Sequence, residues 1–203
     1  IIDDVSNDNT YGIARNIASS YNNIKVFKND VRLHCGMNYN KALNMAAGKY
    51  CGVLDGDDKL VPNAISTIVK LYEGNPNIDF IWTQHHWCNR RMDRFKPGLS
   101  SPPTRGTIYD SEGDSLKHVY SHWRTFKTEM RDRGQLFRKL KCTVDKDLGY
   151  TLEELGRGAF YKEPLYLYRY YKENMSHHSN QKSAWREIRK YHKHKSRYRS
   201  IIL

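Results

Sequence analysis

The feature that most constrains the fold is an alternation, over residues 1–84, between short β-branched or aromatic runs and longer segments with helical periodicity. IIDDVSNDNT reads as the end of a strand followed by an Asp/Ser/Asn loop. Thr10 then caps TYGIARNIASSY, in which Ile13, Ala14 and Ile17 recur at helical spacing. NIKVFKN predicts a second strand, and GMNYNKALNMAAG a second helix closed by Gly48. KYCGVLD predicts a third strand, Pro62 opens the helix PNAISTIVKLYEG, and IDFIWTQ predicts a fourth strand. Strands separated by helices of this length read as βα units, so the expectation is a mainly parallel sheet with helices on both faces. Functional loops of such sheets lie at the carboxyl ends of the strands.

Beyond this region the pattern weakens. Residues 90–114, with Pro97, Pro102 and Pro103, read as a loop over the active face that orders on ligand binding. Two mixed helices are expected near 127–140 and 145–156, then a strand in AFYKEPLYLYRYY. At 203 residues with no clean linker, one domain is the default. No apolar stretch approaches the roughly 18 residues that a membrane span needs. Cys35, Cys51, Cys88 and Cys142 form no CxxC pair and read as free thiols of a reducing compartment. His85, His86 and Cys88 lack a second ligand pair at zinc-finger spacing.

Charge is where the sequence speaks of chemistry. The formal net charge is +12, yet LDGDD sets Asp55, Asp57 and Asp58 at the end of an apolar strand. Carboxylates held together repel unless a cation, a hydrogen-bond donor or water relieves them. A hard divalent ion such as Mg²⁺ or Mn²⁺ takes oxygen ligands and bridges to substrate phosphates, and Gly56 leaves the backbone open to a diphosphate. The plainer reading is a type I turn that merely uses aspartates. Upstream, a calcium loop counted from Asp4 would put Asn9 where Gly is required and Arg15 where a bidentate Glu is required, which excludes an EF-hand. Asp8 or Thr10 accounts for helix capping, leaving Asp3 and Asp4 at a strand end to bind a base or ribose. Positive charge collects in residues 182–199, eight Lys or Arg against Glu187, with Trp185, Tyr191 and Tyr198 interleaved. That segment reads either as a solvated terminal helix or as a contact for phosphates, anionic lipid or an acidic partner.

Taken together, these elements resemble family 2 glycosyltransferases, the inverting group with the GT-A fold. IIDDVSNDNT is similar to that family's DDxSxDxT element. NYNKALNMAAGKYCGVLDGDDKLVPNAI resembles its Asn-x-Gly/Ala-Leu helix, Ala-x-Gly-x-Tyr turn, strand, Asp-x-Asp-Asp loop and Pro-led helix. Inverting transfer needs a base that deprotonates the acceptor hydroxyl. The family's acidic helix start resembles VDKDLGYTLEELGRG, which makes Asp145 the base candidate and Asp147 the runner-up. Val144 and Gly149 depart from the family pattern, where Glu and an aromatic residue are common, which bears on acceptor contacts. EPLYLYRYYKENMSHH resembles the family's late Pro-Leu, Tyr-Arg and Ser stretch, placing Arg169 or His177 near the diphosphate or metal.

The resemblance implies a Rossmann-like, GT-A-like α/β fold over residues 1–178, with a nucleotide-sugar half at 1–89, an acceptor half at 90–178 and a basic tail at 179–203. Entry at the family's second strand gives the expectation of a domain lacking the usual first strand and helix. It implies a UDP-sugar donor, Mn²⁺ or Mg²⁺ on Asp55 and Asp57, and donor contacts from Asp3, Asp4, Arg32, Asp55, Asp57 and Asp58. The acceptor would be a glycan, lipid or other polymer, and the setting cytoplasmic, with the basic tail against an anionic leaflet. Three other readings fit parts of the sequence: a nucleic-acid binder using the basic tail, a nucleotidyltransferase, and an inactive relative. Acidic strand ends repel a phosphate backbone, which weighs against nucleic acid.

Overall fold

The computed structural model describes residues 1–101, 120–171, 187–188, 191–192 and 201–203. The elements run β1 (Ile2–Asp3), α1 (Thr10–Ala18), β2 (Phe27–Lys28), α2 (His34–Met45), β3 (Tyr50–Val53), β4 (Lys59–Leu60) and α3 (Ala64–Gly74). They continue with β5 (Phe80–Cys88), β6 (Arg94–Pro97), β7 (Arg124–Lys127), a 3₁₀ turn (Thr128–Asp132), α4 (Val144–Leu155), β8 (Gly158–Arg169) and β9 (Ile201–Ile202). β1 and β2 form a parallel pair of their own. The other seven strands form one sheet along the order β3-β7-β5-β8-β4, with β6 also on β5 and β9 also on β8.

β5 is the spine of the sheet: it pairs with β6 and β7 antiparallel and with β8 in parallel. Its alternation sorts two cores. Phe80 and Trp82 face the layer that holds Leu43 of α2 and Leu148 and Leu152 of α4, whereas Ile81 faces Ala64, Ile68 and Tyr72 of α3. Helices therefore cover both faces, as the sequence pattern predicts. Two glycines allow close approach. A Cβ on Gly52 of β3 would lie 2.5 Å from the Trp123 indole, and one on Gly36 of α2 would lie 2.1 Å from the Arg138 carbonyl oxygen.

The sheet is mixed: it keeps a long parallel centre, β5 on β8, and adds β7 antiparallel between β3 and β5. Two local expectations are corrected. Residues 94–97, expected within a loop, form β6, which pairs with β5 as an antiparallel hairpin. The helix expected near 127–140 is a strand end and a 3₁₀ turn; Lys127 and Thr128 are instead tied by their amides to the carbonyls of Asp79 and Lys49. α1 has the predicted periodicity, yet Ile13 and Ile17 are exposed. Among the described residues no helix is long and apolar enough to cross a membrane. Most of the basic segment 182–199, with Trp185 and Tyr198, lies outside the described residues, as does His177.

The described part of the C-terminal segment docks on α4. Ile188 enters the main core, and His192 is fully buried between two acids of α4. Its Nε2 meets Asp147 Oδ1 at 3.0 Å and its Nδ1 meets Glu154 Oε1 at 2.5 Å. Both partners are carboxylates, which only accept, so the ring carries two protons and a positive charge. Burial disfavours that charge, but the bonds to Asp147 and Glu154 outweigh it and raise the His192 pKa. Asp147 also accepts both Nε and Nη2 of Arg138, whose guanidinium lies 3.9 Å from the centre of the Tyr191 ring. A raised pKa means that this stabilisation is complete below pH 6.5, the ordinary value, and is lost as pH rises through the folded-state value. His192→Gln is expected to lower stability by about 3 kcal/mol and to remove that pH dependence. Urea unfolding of both proteins on either side of the histidine titration checks this, and an unchanged pH slope would refute it.

Candidate active site

The two acidic strand ends are held by different means. After β1, Asp3 is buried and its Oδ2 accepts the Ser6 amide at 3.2 Å, while its Oδ1, equally buried, has no hydrogen-bond partner. Asp4 is saturated: it accepts the amides of Leu33 and His34 at 2.7 and 2.8 Å and the Asn29 side chain at 2.7 Å. Burial pushes its pKa up, but these donors and Arg32 outweigh burial and hold it below the ordinary range. Asp4 thus fastens the loop to the start of α2. Arg32 donates to the carbonyls of Asp4 and Val5 at 3.4 and 3.2 Å. Val5 has φ 62°, a left-handed conformation that a β-branched residue adopts only when its surroundings enforce it.

The second acidic cluster is a turn, closed by the Asp58 amide on the Asp55 carbonyl at 3.1 Å. Its side chains are each bound by a tyrosine. Tyr39 of α2 donates to Asp55, Tyr166 of β8 donates to Asp58 at 2.6 Å, and Tyr171 donates to Asp57 at 3.0 Å. The Arg169 amide adds a bond to Asp58 at 2.7 Å. Burial, reinforced by Asp57 and Asp55, nevertheless raises the Asp58 pKa to about 7 against those donors. A carboxyl in this state is one that a cation would return to its charged form. Asp55, Asp58 and His122 have ligand atoms within 4.8 Å of one another. Burial, with Arg124, His85 and Lys146 nearby, keeps the His122 ring neutral. The three residues therefore fit a divalent ion, while Asp57 turns toward Tyr171.

The α4 carboxylates divide cleanly. Asp147 is fully buried in the Arg138 and His192 network. Asp145, two residues earlier, is 39% exposed, with Oδ2 3.6 Å from Arg124 Nη1. Thr143, with φ 56°, precedes this helix start in a second left-handed conformation at a β-branched residue. Arg124 itself is 4% exposed and also lies 4.0 Å from Asp55 and 3.2 Å from His122 Nδ1. Its Nε and Nη1 are buried without hydrogen bonds, so two carboxylates at ion-pair distance compensate its charge. Asp55 and Asp145 are thereby brought to one guanidinium. Arg124, His122, Tyr39 and Tyr166 are the site residues that sequence reasoning missed. Tyr39 and Tyr166 lie inside NYNKAL and PLYLYR, whereas HWRTF carries no motif that would single out Arg124.

Comparisons with known proteins bear on the family and the fold. The chain is 29% identical over 100 residues to an uncharacterized glycosyltransferase of Methanocaldococcus jannaschii, covering 48% of this chain and 34% of that protein. It is 26% identical over 157 residues to a chondroitin synthase of Escherichia coli, covering 77% of this chain and 22% of that one. The chain thus spans about a third or less of the curated relatives it matches. Among solved structures, S. aureus TarS 1–349 in complex with UDP-GlcNAc superposes with a TM-score of 0.70 at 15% identity, over 92% of this chain and 54% of that one. Mannosyltransferase PcManGT from Pyrobaculum calidifontis, in complex with GDP-Man and Mn²⁺, gives 0.59 at 16% identity, over 94% of this chain and 51% of that one. These likenesses establish a GT-A-like α/β fold. The family model for glycosyl transferase family 2 matches residues 1–134, and the chain belongs to that family of transferases.

Proposed function

We propose that this chain is a metal-dependent inverting glycosyltransferase that moves a sugar from a nucleotide-sugar, a UDP-sugar in our reading, to an acceptor hydroxyl on a glycan, lipid or other polymer. The observation that carries the proposal is the meeting of the Asp55–Asp58 turn and the half-exposed Asp145 on one buried arginine. Residues 1–89 hold the donor and residues 90–178 hold the acceptor. The orphan Oδ1 of Asp3 suits a base N–H, and Asp4 with Arg32 fixes the loop that presents it. Asp57, on the open side of the turn, faces the ribose and diphosphate with Asp55 and Asp58. Asp55, with Asp58 and His122 and with Asp57 on the same turn, would hold a divalent ion, which would neutralise charge on the leaving diphosphate.

Asp145 takes the proton of the acceptor hydroxyl as that oxygen attacks the anomeric carbon and the sugar–phosphate bond breaks on the opposite face. Its position in the first turn of α4 and its contact with Arg124 orient the carboxylate. Asp147 is unsuited to that task, because its oxygens are committed to Arg138 and His192.

Three outcomes are expected. UDP with Mn²⁺ at a hundredfold excess over Kd stabilises the chain by about 2.7 kcal/mol, visible as a thermal shift. Chelation or Asp55→Ala removes that shift, and its absence in the unaltered chain would sink the metal–nucleotide reading. Asp145→Asn keeps the shift and lowers turnover, read as UDP release, by about 10²- to 10⁴-fold; loss of UDP binding instead would move Asp145 to the donor site. Arg124→Met leaves two carboxylates uncompensated and costs about 3 kcal/mol in urea unfolding, more than Arg124→Lys; equal losses would show that packing, not charge, is what Arg124 contributes.

A further inference from the structure

A file of aromatic rings leads away from the carboxylate cluster. His122 stacks on Tyr166 and Tyr168, with ring centres 4.7 and 4.9 Å apart and planes within 12° and 16°. Tyr168 meets Trp87 edge-on at 5.6 Å, and Trp87 meets Tyr170 at 4.7 Å and Phe95 at 6.5 Å. The file runs from buried to open: Tyr166 is fully buried, whereas Phe95 is 53% exposed. It ends on the β5–β6 hairpin, where the exposed strand β6 and its turn carry Arg90, Arg91, Arg94 and Lys96 against the single acid Asp93. Asp93 is itself bonded to Asn89 at 3.1 Å. Among the described residues no carboxylate pairs with Arg91, Arg94 or Lys96, and the Lys96 ammonium lies 4.6 Å over the Trp87 ring.

The hairpin is also tied to the acidic turn. Arg169, whose amide binds Asp58, places its Nε 3.1 Å from Met92 Sδ in the hairpin turn. Tyr171, which binds Asp57, lies under Arg90 at 5.2 Å. Half-buried rings beside Lys96, with Arg91 and Arg94 on the same hairpin, suit a ligand with apolar ring faces and negative charge together. Pyranose rings provide such faces for stacking against aromatic side chains. Guanidinium groups provide a planar fork that matches a carboxylate. A linear polyol phosphate offers the charge without the rings, and a neutral glycan the rings without the charge.

We infer that the hairpin rim formed by Trp87, Phe95 and Tyr170 with Arg91, Arg94 and Lys96 binds a carboxylate-bearing pyranose glycan as the acceptor chain. The inference rests on the glycosyltransferase reading of the adjoining carboxylate cluster and names the acceptor class for it. The glycan lies along the rings with its carboxylates on the hairpin cations, and its terminal hydroxyl extends toward the turn.

Calorimetric titration of the 203-residue chain tests this, using a short oligogalacturonate, a hyaluronan oligosaccharide, the carboxyl-reduced form of each, and poly(glycerol phosphate). At least one carboxylated oligosaccharide is expected to bind more weakly as salt is raised, and its reduced form to bind about tenfold more weakly still. The triple variant Arg91→Ala, Arg94→Ala, Lys96→Ala is expected to lose about tenfold in affinity for it while keeping the thermal shift with UDP and Mn²⁺. Phe95→Ala, at an exposed position, is expected to weaken the carboxylated and reduced forms alike. Equal binding of carboxylated and reduced forms, equal or tighter binding of poly(glycerol phosphate), or binding of neither carboxylated glycan would overturn the inference. An intact UDP shift with no glycan binding removes the acceptor class alone, whereas a missing UDP shift removes the donor-site reading.

Discussion

The interaction on which the site depends is the burial of Arg124. A guanidinium removed from water is costly unless opposite charge stands beside it. Here that charge comes from two directions, Asp55 after β3 and Asp145 at the start of α4. The sheet register sets the meeting: on β7, Arg124 is opposite Val53 of β3 and Trp82 of β5. Val53 lies two residues before Asp55, so the ladder that inserts β7 between β3 and β5 also delivers the cation to the end of β3. The antiparallel insertion of β7 is thus what assembles the site.

The opposite side of α4 applies the same physics to anchoring. Asp145 and Asp147 are two residues apart, about 200° around a helix, and so point to nearly opposite sides. One faces Arg124 and remains accessible, while the other is enclosed by Arg138 and His192. Charge on one side of the helix orients the accessible Asp145 carboxylate. Charge on the other side, with Ile188 in the core, fixes where that helix lies. From sequence, the two aspartates differ only by one step in a motif; the helical turn separates their environments.

That contrast explains what the sequence made legible. The β and α segments up to residue 84 follow local periodicity, and the carboxylates announce themselves because acids clustered at an apolar strand end need relief. Asp4 was legible as part of the acidic loop, but not as the saturated acceptor of the Leu33 and His34 amides. Arg124 and His122 were not legible, because their meaning arises from strand register across a long separation, which no short motif carries. β6 was hidden for a different reason: RFKP carries no apolar alternation of its own and is a strand through its hairpin pairing with β5. On α1 the helical spacing of Ile13 and Ile17 is legible and their exposure is not, since periodicity describes a face without showing what covers it.

The uneven charge that the sequence presents as a puzzle follows from this layout. Carboxylates crowd the turn after β3, and the Asp58 carboxyl, pushed up to about 7, shows that the protein's own donors do not fully relieve them. Cations crowd the nearby β5–β6 hairpin, where no acid of the described residues balances Arg91, Arg94 or Lys96. The two imbalances are of opposite sign and are joined by Arg169, Met92, Tyr171 and Arg90. Kept apart by a file of rings, they leave an acidic turn and a basic hairpin side by side.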